Sequence, residues 1–145
     1  MVNEEPDVRL SSEPGASAEA IESIIVSINR WNVRVTGVED FHQVAIFVRD
    51  AAGEIRGGIT GGVWGDWLHI VALWVDEDLR GRGFGTQLLL AAEAEARDHG
   101  AHGAFLETHT FQAPSLYRRQ GYEAIAEIED YPPGESQLIM RKSLA

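Results

Sequence analysis

Apolar and polar residues alternate over residues 43–49, placing Val44, Ile46 and Val48 on one side, and the period of two predicts a strand. Residues 50–53 read as a hairpin turn, and residues 54–64 as the returning strand. Two glycine pairs, at 57–58 and 61–62, weaken that strand and predict a bulge or a close approach of backbone. After a turn at 65–66, residues 67–75 are almost continuously apolar, the pattern of a central strand covered on both faces. Helical spacing occurs at Ile21, Ile24, Ile25 and Ile28, following Ser17 as N-cap and Glu19 in the first turn, and predicts one buried face. It occurs again at Leu88, Leu89, Ala92 and Ala96, within a helix expected over 84–99.

The remaining elements are shorter. Residues 8–10 suggest a short first strand, and residues 29–40 read as irregular. A strand is expected over 104–108, then a short helix with Pro114 in its first turn and Gly121 just past its end. Two final strands, 122–128 and 137–142, flank a loop at 130–134. The expectation is an α+β (mixed α/β) fold: a single central mixed, mostly antiparallel sheet of about six to seven strands flanked by helices. With 145 residues and neither repeat nor linker, residues 1–145 are expected to form one domain.

Charge and composition narrow the possible functions. A formal charge of −11 argues against nucleic acid and against anionic membranes as main partners. The absence of cysteine excludes disulfides, thiolate metal sites and a cysteine nucleophile. No apolar run approaches the roughly 18–20 residues of a membrane span. Residues 1–6 lack the basic and apolar parts of a signal peptide, so a cytoplasmic location is expected.

Against this acidic background one basic segment stands out, LWVDEDLRGRGFGT at residues 73–86. A buried strand leads through an acidic connector into a loop with Gly81, Gly83 and Gly85 at alternate positions, and then into a helix. Such a loop exposes backbone N–H groups at the positive end of a helix dipole, with Arg80 and Arg82 adding charge. The combination suits a phosphate-bearing ligand. A P-loop is rejected because its lysine is missing. A dinucleotide fingerprint fits poorly, since Thr86 stands at the third glycine position and five residues separate Val75 from Gly81. An ordinary glycine turn would not need the arginines.

The pattern R-x-x-G-x-G, carried by Arg80, Gly83 and Gly85, resembles the acetyl-CoA loop of the GNAT N-acetyltransferase superfamily. LYRRQGY at 116–122 is similar to that family's L-Y-x-x-x-G-F/Y segment, and THTFQA at 108–113 resembles its strand-to-helix junction, with Gln112 where asparagine is frequent. The resemblance implies an enzyme that transfers the acetyl group of acetyl-CoA to an amine, with no metal. It implies that the backbone of Leu73, Trp74 and Val75 pairs with the pantetheine arm. The N–H groups of Arg80, Gly81, Arg82, Gly83, Phe84, Gly85 and Thr86 would hold the pyrophosphate, with Gln112 beside the cofactor. Tyr117 would lie near the thioester sulfur and protonate the departing thiolate.

The chemistry itself asks for more. An alkylamine, with a pKa near ~10, must lose a proton before it attacks, so a base or a water chain is required. Glu107 at the end of its strand is favoured over His69 on the central strand, with His109 behind both, and water-assisted attack competes with all three. A carboxylate in an apolar cleft would be the stronger base. Backbone N–H groups at the splayed end of strand 67–75 are candidates to hold the oxyanion. His99 and His102 read as loop residues rather than metal ligands. Trp31, Trp64, Trp67 and Tyr131 are candidates for an aromatic pocket around a small-molecule or peptide amine. A homodimer is a further expectation. The rival functions are a non-catalytic acyl-CoA-binding module on the same fold and a nucleotide-binding domain.

Overall fold

The computed structural model describes residues 7–145, which divide into two compact units, residues 7–39 and 40–145. The first unit is built on helix α1, Ala18–Thr36. Ser17 caps it, its Oγ accepting from the N–H of Ala20 at 3.1 Å, and Gly37 ends it in the left-handed region with φ 71°. The helix runs well past residue 29, where irregular chain was expected, because Trp31 and Val35 continue the spacing begun at Ile21. The apolar stripe is not buried as its periodicity suggested: Ile24 is 68% exposed. No strand forms at 8–10, where the side chains are exposed and the backbone pairs with no other strand.

The second unit contains six strands, β1 (His42–Arg49), β2 (Ile55–Trp64), β3 (Trp67–Val75), β4 (Gly103–His109), β5 (Glu123–Glu129) and β6 (Ser136–Ser143). Helices α2 (Phe84–Asp98) and α3 (Pro114–Arg119) complete it. The strands form one sheet in the order β1-β2-β3-β4-β6-β5, antiparallel except where β3 runs parallel to β4. Parallel strands need a crossover, and α2 supplies it. Its apolar positions Leu88, Leu89, Ala92 and Ala96 are buried with Val44, Ile59, Leu68 and Leu106 of the sheet. Each large side chain fully buried there stabilises the fold by about 1.5–3 kcal/mol.

The glycine pairs of β2 fulfil both expectations placed on them. Thr60 pairs with Ala72 and Gly61 with Ile70, so Val71 is an extra residue, a bulge in β3. Gly61 sits so close to this bulge that a Cβ there would lie 2.2 Å from the carbonyl oxygen of His69. The bulge shifts the strand's alternation by one. Leu68 and Ile70 face the core before it, and Leu73 and Val75 pack against the core after it. Continuous apolar sequence therefore reflects a change of phase. β3 is not covered on both faces throughout, since Val71 is 67% and Trp74 56% exposed.

One buried carboxylate interrupts the apolar face of α2. Glu93 is fully buried and accepts from Lys142 Nζ at 2.8 and 3.0 Å and from the Tyr122 hydroxyl at 3.0 Å. Burial and the adjacent carboxylate push the Tyr122 phenol well above its ordinary pKa. The cluster ties α2 to β6 and to the residue just before β5. Glu93→Ala is expected to destabilise the protein by about 3–5 kcal/mol, because Lys142 loses its partner, whereas Glu93→Leu combined with Lys142→Met recovers most of that loss. Urea unfolding of the three proteins checks this; equal destabilisation by the single and double variants would show that charge pairing is not the cause.

Candidate active site

β3 and β4 pair only from Trp67–Gly103 to Ile70–Leu106 and then separate. Beyond Ile70 the edge of β3 that faced β4 has no strand partner among the described residues, and the Val75 carbonyl there accepts instead from Arg80 Nε. A cleft of about 790 Å³ fills the gap. One wall is residues 70–75 of β3, another the glycine loop and start of α2, and a third the end of β4 with α3.

The loop between β3 and α2 is shaped for an anion. Gly81 and Gly83 have φ of 76° and 85°, conformations that favour glycine. Gly83 is the N-cap of α2, and no side chain caps the first turn. The leading N–H groups of α2 have no partner within the helix, as in any α-helix, and here no capping side chain supplies one. Gly85 is glycine for a packing reason, since a Cβ would lie 3.3 Å from Leu116 Cδ2 of α3.

Arg80 lines the cleft, with its Nε bonded to the carbonyl of Val75 at 2.9 Å and its guanidinium 4.7 Å over the Trp74 ring. Arg82 is exposed and does not line it. Arg119, one helical turn after Leu116, supplies the second cleft-lining guanidinium. Sequence reading passed over Arg119, although the three-residue spacing from Leu116 was the available signal.

The acidic connector is held by a clamp that sequence reading did not find. Arg56 of β2 donates to Asp76 at 2.6 Å and to Asp78 at 2.7 and 2.8 Å. The Trp74 indole N–H also donates to Asp76 at 3.0 Å. The Arg56 guanidinium first, and then the Trp74 indole, hold the Asp76 carboxyl below its ordinary value. These bonds fix the short 3-10 turn Glu77–Leu79 that precedes the glycine loop.

Tyr117 is 8% exposed and lines the cleft, its ring edge-on to Tyr122 at 5.8 Å. Its hydroxyl has no hydrogen-bond partner among the described residues, and burial pushes the phenol above its ordinary value. Glu107 also lines the cleft. Its side chain is 42% exposed and lies 3.2 Å from His69 Nε2, so it is not a carboxylate enclosed by apolar walls. Two candidate bases thus meet across β3 and β4, with His69 stacked on Phe105 at 4.4 Å.

Gln112 lines the cleft, but its amide oxygen is occupied by the N–H of His109 at 2.8 Å and the hydroxyl of Thr108 at 3.1 Å. It shapes the turn from β4 into α3. Leu73, Trp74, Val75, Gly81, Gly83, Phe84, Gly85 and Thr86 all line the cleft.

The expected aromatic pocket is redistributed. Trp64 and Trp67 face each other at the β2–β3 turn, the end of β3 away from the loop, and Trp31 lies within α1. Phe111, not foreseen, lines the cleft. His99 ends α2, with Nδ1 2.9 Å from the carbonyl of Glu95 and its ring stacked on His42. His102 stands edge-on to Trp67 in the loop before β4.

A profile of the acetyltransferase (GNAT) family matches residues 17–122. The chain belongs to this family. A blasticidin-S acetyltransferase of Streptomyces morookaense is 47% identical over 93 residues, covering 63% of this chain and 68% of that one. An acetyltransferase of Agrobacterium fabrum is 32% identical over 127 residues, 88% of this chain and 93% of its own. Among solved structures, an acetyltransferase from Agrobacterium tumefaciens superposes with a TM-score of 0.87 at 29% identity, covering 94% of this chain and 99% of that one.

For this GNAT acetyltransferase the Arg56 clamp leads to a prediction. Arg56→Ala is expected to weaken CoA binding by about tenfold while leaving the fold intact, as the connector before the loop loses its anchor. Because the Asp76 pKa is lowered, the clamp is at full strength above pH ~4 and is lost as the pH falls through the lowered value. Isothermal titration of CoA into both proteins at pH 7.5 checks this; equal affinity would show that the clamp does not support the loop.

Proposed function

We propose that residues 1–145 act as one catalytic domain that moves the acetyl group of acetyl-CoA onto a primary amine of a small molecule, by direct attack in a ternary complex. The observation that carries this reading is the continuity of the cleft. It joins an uncapped helix N-terminus, an open strand edge and a buried tyrosine whose hydroxyl has no protein partner. The family match running through residues of both units supports the assignment to a single catalytic domain.

Acetyl-CoA supplies an activated acetyl thioester, and the cleft offers a place for each part of it. Its pyrophosphate matches the N–H groups at residues 80–86, with Arg80 and Arg119 adding charge. Its amide-bearing arm matches the open edge at 73–75. Glu107, directly or through a water, takes a proton from the ammonium, and His69 orients it. The backbone beside the Val71 bulge faces the developing oxyanion. As the C–N bond forms and the C–S bond breaks, Tyr117 gives its proton to the sulfur. A phenol whose pKa is raised by burial is fully protonated at neutral pH, as an acid must be. The relative named for blasticidin-S supports a small-molecule acceptor over a protein one.

Saturating CoA is expected to raise the unfolding midpoint, because ligand at 100 times its Kd adds about 2.7 kcal/mol, while NAD and ATP leave it unchanged. Stabilisation by NAD or ATP instead would mean that the loop serves another ligand. Tyr117→Phe is expected to lower kcat on the order of 10²-fold with little change in KM for acetyl-CoA. Unchanged turnover across pH would remove Tyr117 from the mechanism.

A further inference from the structure

Successive outward positions of β4 carry Phe105, Glu107 and His109, because alternate residues of a strand share a face. The carboxylate therefore stands between two groups of rings. On one side His69 stacks on Phe105 and meets Glu107. On the other, His109 stacks on Phe111 with centroids 5.1 Å apart, and Tyr131 meets it edge-on at 5.2 Å. His109 Nδ1 donates to the carbonyl of Tyr131 at 3.1 Å, which draws the 130–134 loop against the end of β4.

Phe111 and Tyr131 are 56% and 53% exposed, uncommon for rings fixed against a neighbour. Glu107 and Phe111 also line the cleft, so the row of rings and the cleft share a wall. A carboxylate flanked by aromatic faces complements a cation attached to a flat apolar group. Glu107 and His109 lie about 6.6 Å apart along the strand. An amine joined to a flat ring by a short linker would present its nitrogen to the carboxylate and its ring to the aromatic faces beside it.

From this geometry we infer that the acceptor is an organic cation whose amino group meets Glu107 while an aromatic ring rests on Phe111 and Tyr131. The assignment names the substrate class of the acetyl-transfer reading and depends on it. The amine nitrogen is held at the carboxylate that deprotonates it, beside the acetyl carbon it attacks. The ring lies along the wall that the aromatic row shares with the cleft.

The test compares 2-phenylethylamine with 2-cyclohexylethylamine, monocations of nearly equal size that differ in the flat ring. With acetyl-CoA as donor, kcat/KM is expected to favour the aromatic amine by about five- to tenfold. Phe111→Leu and Tyr131→Leu should each bring the ratio toward one by raising KM for the aromatic amine. Both side chains are more than half exposed, so the core is undisturbed. Phe47→Leu removes an exposed ring from β1, away from the site, and should leave the ratio unchanged. Equal kcat/KM for the two amines, or a ratio that survives both variants, overturns the assignment. Turnover of neither amine by a protein that CoA stabilises also overturns it, while leaving the cofactor assignment standing. If CoA does not stabilise the protein either, the acetyl-transfer reading falls as well.

Discussion

β3 and β4 run side by side for four paired residues and then part, and the site depends on where they do so. Had the ladder continued past Ile70 and Leu106, every backbone group of Leu73, Trp74 and Val75 would be satisfied within the sheet. Parting leaves one edge of β3 without a strand partner in the interior of the sheet, where unpaired backbone groups are costly unless a partner arrives. The Val71 bulge lets this happen without losing the core, because Leu73 and Val75 still pack against it after the change of phase. Gly61 is what allows the bulge to lie flat against β2.

Two charged clusters hold the walls of the opening, and they work differently. Glu93 and Tyr122 lie in the core and Lys142 reaches Glu93 from its edge, where water competes little and a missing member leaves an uncompensated charge. They fix α2 relative to β6. Arg56, Asp76 and Asp78 lie at the surface, where ion pairs contribute little to stability. Their effect is local, since three carboxylate contacts restrict a connector that has few apolar anchors of its own. One cluster secures the scaffold and the other secures a loop.

The parts of the site legible in the sequence were those written over short distances. The alternating glycines, the helix start after Gly83 and the Tyr117 segment each depend on neighbours within a few residues. Their spacing indicates both conformation and chemistry. Arg56 meets Asp76 and Asp78 from 20 and 22 residues away, and Glu93 meets Lys142 across 49, so no local pattern could announce either. The glycine pairs of β2 did signal the bulge, though the phase shift it imposes on β3 was hidden by continuous apolar residues. Trp64 and Trp67 are conspicuous in the sequence but meet at the β2–β3 hairpin. Of the four aromatic candidates Tyr131 does come to the end of β4, where His109 meets both it and Phe111, a contact of Phe111 that no local pattern announced.

The guanidinium groups of Arg80 and Arg119 face the cleft of a chain whose formal charge is −11. At low ionic strength, where screening is weak, an anion as highly charged as CoA is repelled by the net charge while it is distant and is attracted by the loop only once it is close. Its association rate should therefore rise with added salt at low ionic strength, the reverse of ordinary electrostatic steering, which stopped-flow mixing would reveal. In such a field any tight binding of an anion would come from slow escape rather than fast capture. A cation experiences the opposite field, so one charge distribution would hasten the arrival of a cationic ligand and delay that of an anionic one.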